Sequence, residues 1–387
     1  MNARQFRYAT TVARRRYGSR DSDLERLIRQ ALDRVQQVHG ASEDEDLVRQ
    51  MLVTAMRLVQ DGTSARDLKL LNSALKELRH AFRVFSPYIH QRKVAVFGSA
   101  RTQPDTPDWN QAWSFAERIV EAGWMVITGA GSGIMAAAQG GAGREASFGV
   151  NIRLPFEQRA NEVIEGDHKC INFRYFFTRK VVFVKEAHAI ALFPGGFGTH
   201  DEAAEALTLI QTGKSEVVPV VFVDEPGGSY WKEWHAWMAA HVASRGFLSP
   251  EDLSLYRVTD DIDEAMGEIL KFYSNYHSTE NRGGRLVLRV RKEPGDEDLD
   301  ALNVQFADIV SRGAIDRVEP GPVGNSDGPH LAGVEFDFDR RSWARLRQMI
   351  DALNQLIEAE ASPPLDASPL EVVQVALSET AKAEEEA

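Results

Sequence analysis

Between residues 21 and 87 the apolar positions recur every three or four residues, the spacing of one face of an α-helix. Leu24, Leu27, Ile28, Ala31, Leu32 and Val35 share a face in a segment that stops at Gly40, and Leu47, Met51, Leu52, Met56 and Val59 repeat it. A third segment opens on a Thr63/Ser64 cap and runs to about Phe85, and Pro87 starts the connection to the next domain. The spacing predicts a helical N-terminal module over 21–87. The pattern then changes. β-rich apolar runs at 93–99, 124–129, 147–154, 189–196 and 217–224 alternate with amphipathic segments that include 109–122, 175–187 and 199–213. Apolar runs without alternation, separated by helices, read as parallel strands buried on both faces. They predict a doubly wound, Rossmann-like α/β domain over 88–277.

After residue 277 the segment "STENRGG" reads as a linker. A strand "RLVLRV", an acidic helix near 296–312, a strand "IDRVE", a Pro/Gly-rich loop at 320–329, a strand "LAGVEFDF" and a helix over 340–358 come next. This order predicts a small β-α-β-β-α module over 285–358, with an acidic tail over 359–387.

Composition narrows the class. The chain has 387 residues, 43% of them hydrophobic and 26% charged, as in soluble globular proteins. No apolar run approaches the ~18 residues that would span a bilayer, so no membrane association is expected. Residues 1–20 hold six arginines and no acid, which reads as a basic arm and lacks the continuous apolar segment of a secretory signal. The single cysteine, Cys170, excludes an internal disulfide and fits a reducing cytoplasm. A net charge of −12 argues against broad binding to nucleic acid. The histidines are scattered without ligand spacing, so neither a metal nor another cofactor is expected.

In open parallel sheets, ligands bind beyond the carboxyl ends of the strands. Three strand ends here carry glycine and hydroxyl residues: "FGSAR", "TGAGSGIM" and "PGGFGT". Backbone N–H groups exposed at a helix start favour a phosphate. A dinucleotide fits poorly, because Gly129, Gly131 and Gly133 would need a further glycine at Ile134, and the next strand ends without an acid for the ribose. A mononucleotide or sugar phosphate fits better. If Thr199 sits at or near the N-cap, Asp201 and Glu202 fall in the first helical turn, where acids also simply complement the helix dipole. Upstream, Arg174, Arg179 and Lys180 cluster near a helix start. Cations, a phosphate-sized loop and a carboxylate together can hold a phosphorylated ribose and act at its anomeric carbon. His200 reads as a solvent-facing first-turn residue, and Trp231, Trp234 and Trp237 as a packed core or a dimer face. Arg153 reads either as a phosphate or base contact or as a plain surface charge.

"TRK", followed fifteen residues after Arg179 by "PGGFGTHDE", resembles the R-K…P-G-G-x-G-T-x-x-E signature of the LONELY GUY family of nucleoside 5′-monophosphate phosphoribohydrolases, a family often mislabelled lysine decarboxylase. The resemblance covers roughly residues 90–275, and the flanking modules resemble those of the longer bacterial relatives. It implies hydrolysis of the N-glycosidic bond of AMP or a related nucleotide to free base and ribose 5-phosphate, in cytokinin activation or nucleotide salvage, by a homodimer or higher homo-oligomer. It implies Arg179 and Glu202 as the catalytic pair. Gly195, Gly196, Gly198 and Thr199 would hold the phosphate with Gly131, Ser132 and Gly133, and Ser99, Lys180 and Arg153 are further candidate contacts. The alternative on the same fold is a non-hydrolytic nucleotide or molybdenum-cofactor carrier.

Overall fold

The computed structural model describes residues 22–39, 44–153, 159–323 and 329–358. The expected basic arm and acidic tail lie outside the described residues. The chain divides into two compact units between Lys76 and Glu77. The first unit contains α1 (Ser22–His39), α2 (Glu45–Gln60) and the start of α3 (Ala65–Phe85). Ile28, Leu32 and Val53 form its small buried cluster, with Leu24 and Leu52 packed on it. Arg49 links the two helices through Glu25 at 2.9 Å. Only part of the expected apolar face is covered: Leu27 and Met51 remain 55% and 54% exposed.

The second unit is built on a parallel sheet of β1 (Lys93–Phe97), β2 (Met125–Thr128), β3 (Ser147–Ile152), β4 (Cys170–Phe173), β5 (Ala189–Leu192), β6 (Val220–Val223) and β7 (Arg257–Thr259). Its strand order is β4-β3-β2-β1-β5-β6-β7, the doubly wound arrangement expected. Between the strands run α4 (Pro107–Glu121), α5 (Ile134–Ala142), α6 (Phe176–Glu186), α7 (Phe197–Gln211) and α8 (Tyr230–Trp237), and α9 (Ile262–Phe272) follows β7. The central strands β2, β5 and β6 are buried throughout, as sheet strands covered on both faces must be. The two strands the hydrophobic pattern did not predict, β4 and β7, are four and three residues long and lie at the sheet edges. Too short for a periodic signal, they are set by pairing with β3 and β6.

The segment expected as a linker is instead β8 (Tyr276–Arg282), paired antiparallel with β9 (Arg285–Val290). Gly283 and Gly284, read as linker glycines, are the two central residues of the hairpin, at φ +60° and +98°, the conformation that a tight hairpin turn demands of its residues. α10 (Asp296–Gln305) ends earlier than expected, and β10 (Val310–Pro322), β11 (His330–Phe338) and α11 (Trp343–Glu358) complete a four-stranded sheet in the order β10-β11-β9-β8. Asn354 of α11 ties the end of α9 to the start of β8. Its Oδ1 accepts from the backbone of Asn275 and Tyr276 at 3.1 and 2.8 Å, and its Nδ2 donates to Phe272 O at 2.8 Å. Among the described residues no helix is long and apolar enough to cross a membrane.

Candidate active site

The order of the parallel sheet reverses between β1 and β5, and the loops after β1, β2 and β5 meet at that point. The contacts are tight. Ser99 N donates to Pro194 O at 3.0 Å, and Ile134 N donates to Ser99 O at 3.0 Å. A Cβ on Gly195 would lie 2.1 Å from Thr199 Oγ1 and 2.9 Å from Ser99 N. Gly133, at φ +64°, would place a Cβ 2.2 Å from Ser99 O. Only glycine fits either position. Ser132 Oγ donates to Ala100 O at 2.7 Å.

One residue absent from the sequence-based reading, Asn161, braces these loops. Asn161 donates its Nδ2 to Gly131 O at 2.9 Å and its backbone N–H to Ala130 O, also at 2.9 Å. Ala130 is a non-glycine residue at φ +59°, held there by these bonds and by its own N–H on Thr128 Oγ1. Strained backbone of this kind persists only where neighbours over-determine it.

The glycine loop starts α7 earlier than expected. Gly196 is the N-cap and Phe197 the first helical residue, so Thr199 is third and Glu202 falls in the second turn. The first turn holds no acid, and complementing the helix dipole does not account for Glu202. Thr199 and Glu202 are instead 5% and 8% exposed on the inward face of the helix. Gly196 and Gly198 lie open, with no atom within 4 Å of where a Cβ would stand.

Arg179 comes from α6. Its Nη2 meets Glu202 Oε1 at 3.2 Å, and both side chains are largely buried. The guanidinium also lies 5.1 Å from the Phe176 ring and 5.7 Å from the Phe183 ring. A Cβ on Gly129 would stand 3.7 Å from Arg179 Nη1, so the β2 loop borders the same group. Arg179 Nε is buried and has no hydrogen-bond partner among the described residues. Burial pushes the Glu202 carboxyl above the usual carboxylate range, while Arg179 and then Lys180 pull it back. Burial likewise pushes the Arg179 guanidinium down against the pull of Glu202. Desolvation dominates on both sides of the pair, as it does for ion pairs removed from water.

The start of α6 is tied to α3. Glu77, in α3, accepts from Arg174 N at 3.0 Å and from the Thr178 hydroxyl at 2.6 Å, one residue before Arg179. A carboxylate beside a helix N-terminus complements the dipole. No local signal marks Glu77, because the helix it braces lies about a hundred residues away in the chain.

Other expected positions resolve differently. Lys180 does not turn toward Glu202 but pairs with Asp201 at 2.8 Å and Glu205 at 2.6 Å, clamping α6 to α7. Burial works against its ammonium, yet Asp201 and Glu205 outweigh it and hold its pKa above the ordinary lysine value. Arg153 is exposed at the end of β3, and among the described residues its side chain makes no hydrogen bond or ion pair with the site. His200, expected to face solvent, is half-buried, with Nε2 2.7 Å from Tyr230 Oη and its ring 5.3 Å from that of Trp231. Trp231 is fully buried and Trp234 packs beside it in the core, whereas Trp237 is 54% exposed.

The chain is similar in structure to the molybdenum cofactor carrier protein of Chlamydomonas reinhardtii, at 22% identity over 47% of this chain and 97% of that chain, with a TM-score of 0.34. It is also similar to the molybdenum cofactor binding protein of the phototrophic bacterium Rippkaea orientalis, at 18% identity over 46% of this chain and 93% of that chain, with a TM-score of 0.30. No curated protein matches the sequence. Residues 132–269, the span that holds Arg179, the 194–199 glycine loop and Glu202, match the family described as possible lysine decarboxylase.

Proposed function

We propose that this chain is a phosphoribohydrolase of the LONELY GUY type, cleaving the N-glycosidic bond of a nucleoside 5′-monophosphate, AMP foremost, to free base and ribose 5-phosphate. The observation that carries the reading is the buried Arg179–Glu202 pair directly behind a glycine loop with open backbone at Gly196 and Gly198. The loop and the start of α7 offer N–H donors to the 5′-phosphate. Anchoring the phosphate places the ribose over Glu202 and converts part of the binding energy into orientation.

In the reaction the bond from C1′ to the base nitrogen breaks and the base leaves with the electron pair, taking up a proton. Water adds to C1′ and loses a proton. Positive charge builds on the ribose ring as the bond breaks, as in glycoside hydrolysis. Glu202 stabilises that charge, engages the ribose hydroxyls and helps activate the water. Arg179 fixes one oxygen of Glu202.

A lysine decarboxylase would use a pyridoxal phosphate bound as a Schiff base to a lysine whose amine is readily deprotonated. Lys180, the lysine beside Glu202, does not fit, because two carboxylates hold it as an ammonium. The hydrolase reading is tested by chromatography of AMP, GMP, CMP and UMP incubated with wild type and Glu202→Ala. Free base from the wild type alone is expected. Intact nucleotide recovered from both would replace the hydrolase with a carrier.

A further inference from the structure

The carbonyl of Gly195 is held by a residue outside the glycine motif. Tyr230, the first residue of α8, donates its hydroxyl to Gly195 O at 2.5 Å, and Tyr230 Oη lies 2.7 Å from His200 Nε2. A phenol carries one proton and a carbonyl can only accept, so that proton belongs to Gly195 and His200 presents Nε2–H to the phenol oxygen. The arrangement is anchored from behind. Asp224, fully buried just beyond β6, accepts the Trp231 N–H with both oxygens, at 3.1 and 3.0 Å. The Trp231 ring then packs against His200 and, at 4.8 Å, against the Tyr230 ring. Tyr230 is therefore not a loose surface phenol, although 38% of it is exposed.

A trans peptide is planar, with its C=O and N–H pointing in opposite directions. Fixing Gly195 O on Tyr230 therefore turns the Gly196 N–H away from Tyr230, at a residue whose surroundings are open. Without that bond the Gly195–Gly196 peptide, flanked by the most permissive residue type, is free to rotate. We propose that Tyr230 is a positioning residue that sets the orientation of the phosphate-binding loop, with His200 and Asp224 fixing Tyr230 in turn. This rests on the reading of the glycine loop as the 5′-phosphate site.

The test is Tyr230→Phe, which keeps the ring against Trp231 and removes only the hydroxyl. Titration calorimetry with ribose 5-phosphate and with AMP should show affinity lowered on the order of tenfold, the worth of one hydrogen bond made by a preorganised group. In turnover, KM for AMP should rise by the same factor while kcat stays within about twofold, a split that general loosening of the fold would not produce. Equal affinities for variant and wild type overturn the proposal, as does a fall in kcat with KM unchanged, or a wild type that binds neither ligand. If wild type binds ribose 5-phosphate but releases no base from AMP, the hydrolase reading fails, and the affinity ratio still decides the role of Tyr230. Should Tyr230→Phe not fold, His200→Ala removes the hydrogen bond behind the phenol and is expected to weaken ribose 5-phosphate several-fold. Unchanged affinity in that variant overturns the proposal as well.

Discussion

Replacing Arg179 with methionine keeps an unbranched stem against Phe176 and Phe183 and removes the charge that faces Glu202. Breaking a buried ion pair by removing one partner costs about 3–5 kcal/mol, because the remaining charge is left uncompensated. Glu202 has an escape, which is to take up a proton. Keeping a carboxyl of ordinary pKa near 4.3 neutral at pH 7 costs about 1.36 × 2.7, or roughly 3.7 kcal/mol, and at pH 5.5 about 1.6 kcal/mol. The electrostatic loss is capped by those values, and the part of the cost that wild type already bears through the burial of Glu202 lowers them further. The sign follows from linkage. A carboxyl raised in the folded state binds protons more tightly there than when unfolded, so its stability contribution is present below the unfolded pKa and is lost as pH rises through the folded pKa. Without Arg179 the folded pKa rises further, and the losing window extends upward. Arg179→Met should therefore be destabilised relative to wild type by up to about 2 kcal/mol more at pH 7 than at pH 5.5. Denaturant unfolding of wild type, Arg179→Met and Arg179→Met/Glu202→Gln at both pH values measures this, and the double variant should lose the extra pH dependence. A destabilisation by Arg179→Met that is identical at the two pH values would refute the idea that Glu202 is buried as a charge compensated by Arg179.

Two further outcomes concern the loop and its supports. Gly195→Ala would drive a Cβ against Thr199 and the Ser99 backbone, whereas Gly196→Ala meets open space. Turnover of AMP should fall about a hundredfold or more in the first and far less in the second, and the reverse order would mean that the loop is packed differently. Glu77→Ala removes the acceptor of the Arg174 N–H and the Thr178 hydroxyl, which should lower stability by about 1 kcal/mol and kcat/KM by roughly tenfold or more through displacement of Arg179. Glu77→Gln, which keeps an acceptor oxygen, should recover much of both, and an Ala variant as active as wild type would separate Glu77 from the site.

What could be read from the sequence was whatever the chain encodes over short spans. The long apolar runs at 93–99, 124–129, 189–196 and 217–224 predicted strands of the parallel sheet, because strands buried on both faces need uninterrupted apolar residues. The glycine and hydroxyl residues at three strand ends predicted a ligand edge, and the spacing from Arg179 to Pro194 pointed to a resemblance that named Arg179 and Glu202 before any contact between them was known. The structure brings that pair to 3.2 Å. The hairpin at Gly283–Gly284 was read as a linker, because a glycine pair between polar residues shows no hairpin until the strands on either side find partners.

Tertiary structure alone decided the rest. That α7 begins at Phe197, and that Glu202 turns inward in its second turn, depends on how the loop packs against Ser99 and not on the propensity of "HDE". Lys180 and Arg179 are adjacent cations in the sequence, yet one clamps two helices while the other meets Glu202, because neighbours on a helix point about 100° apart. Tyr230 reaches Gly195 across 35 residues, Asn161 reaches Gly131 across 30, and Glu77 reaches Thr178 across 101. Such contacts leave no periodic trace, since a polar side chain bonding a distant backbone group is constrained by where the sheet brings that group and not by its own neighbours in the chain. The chemistry was written locally, and the geometry that would make it work is held by residues that only the fold brings near.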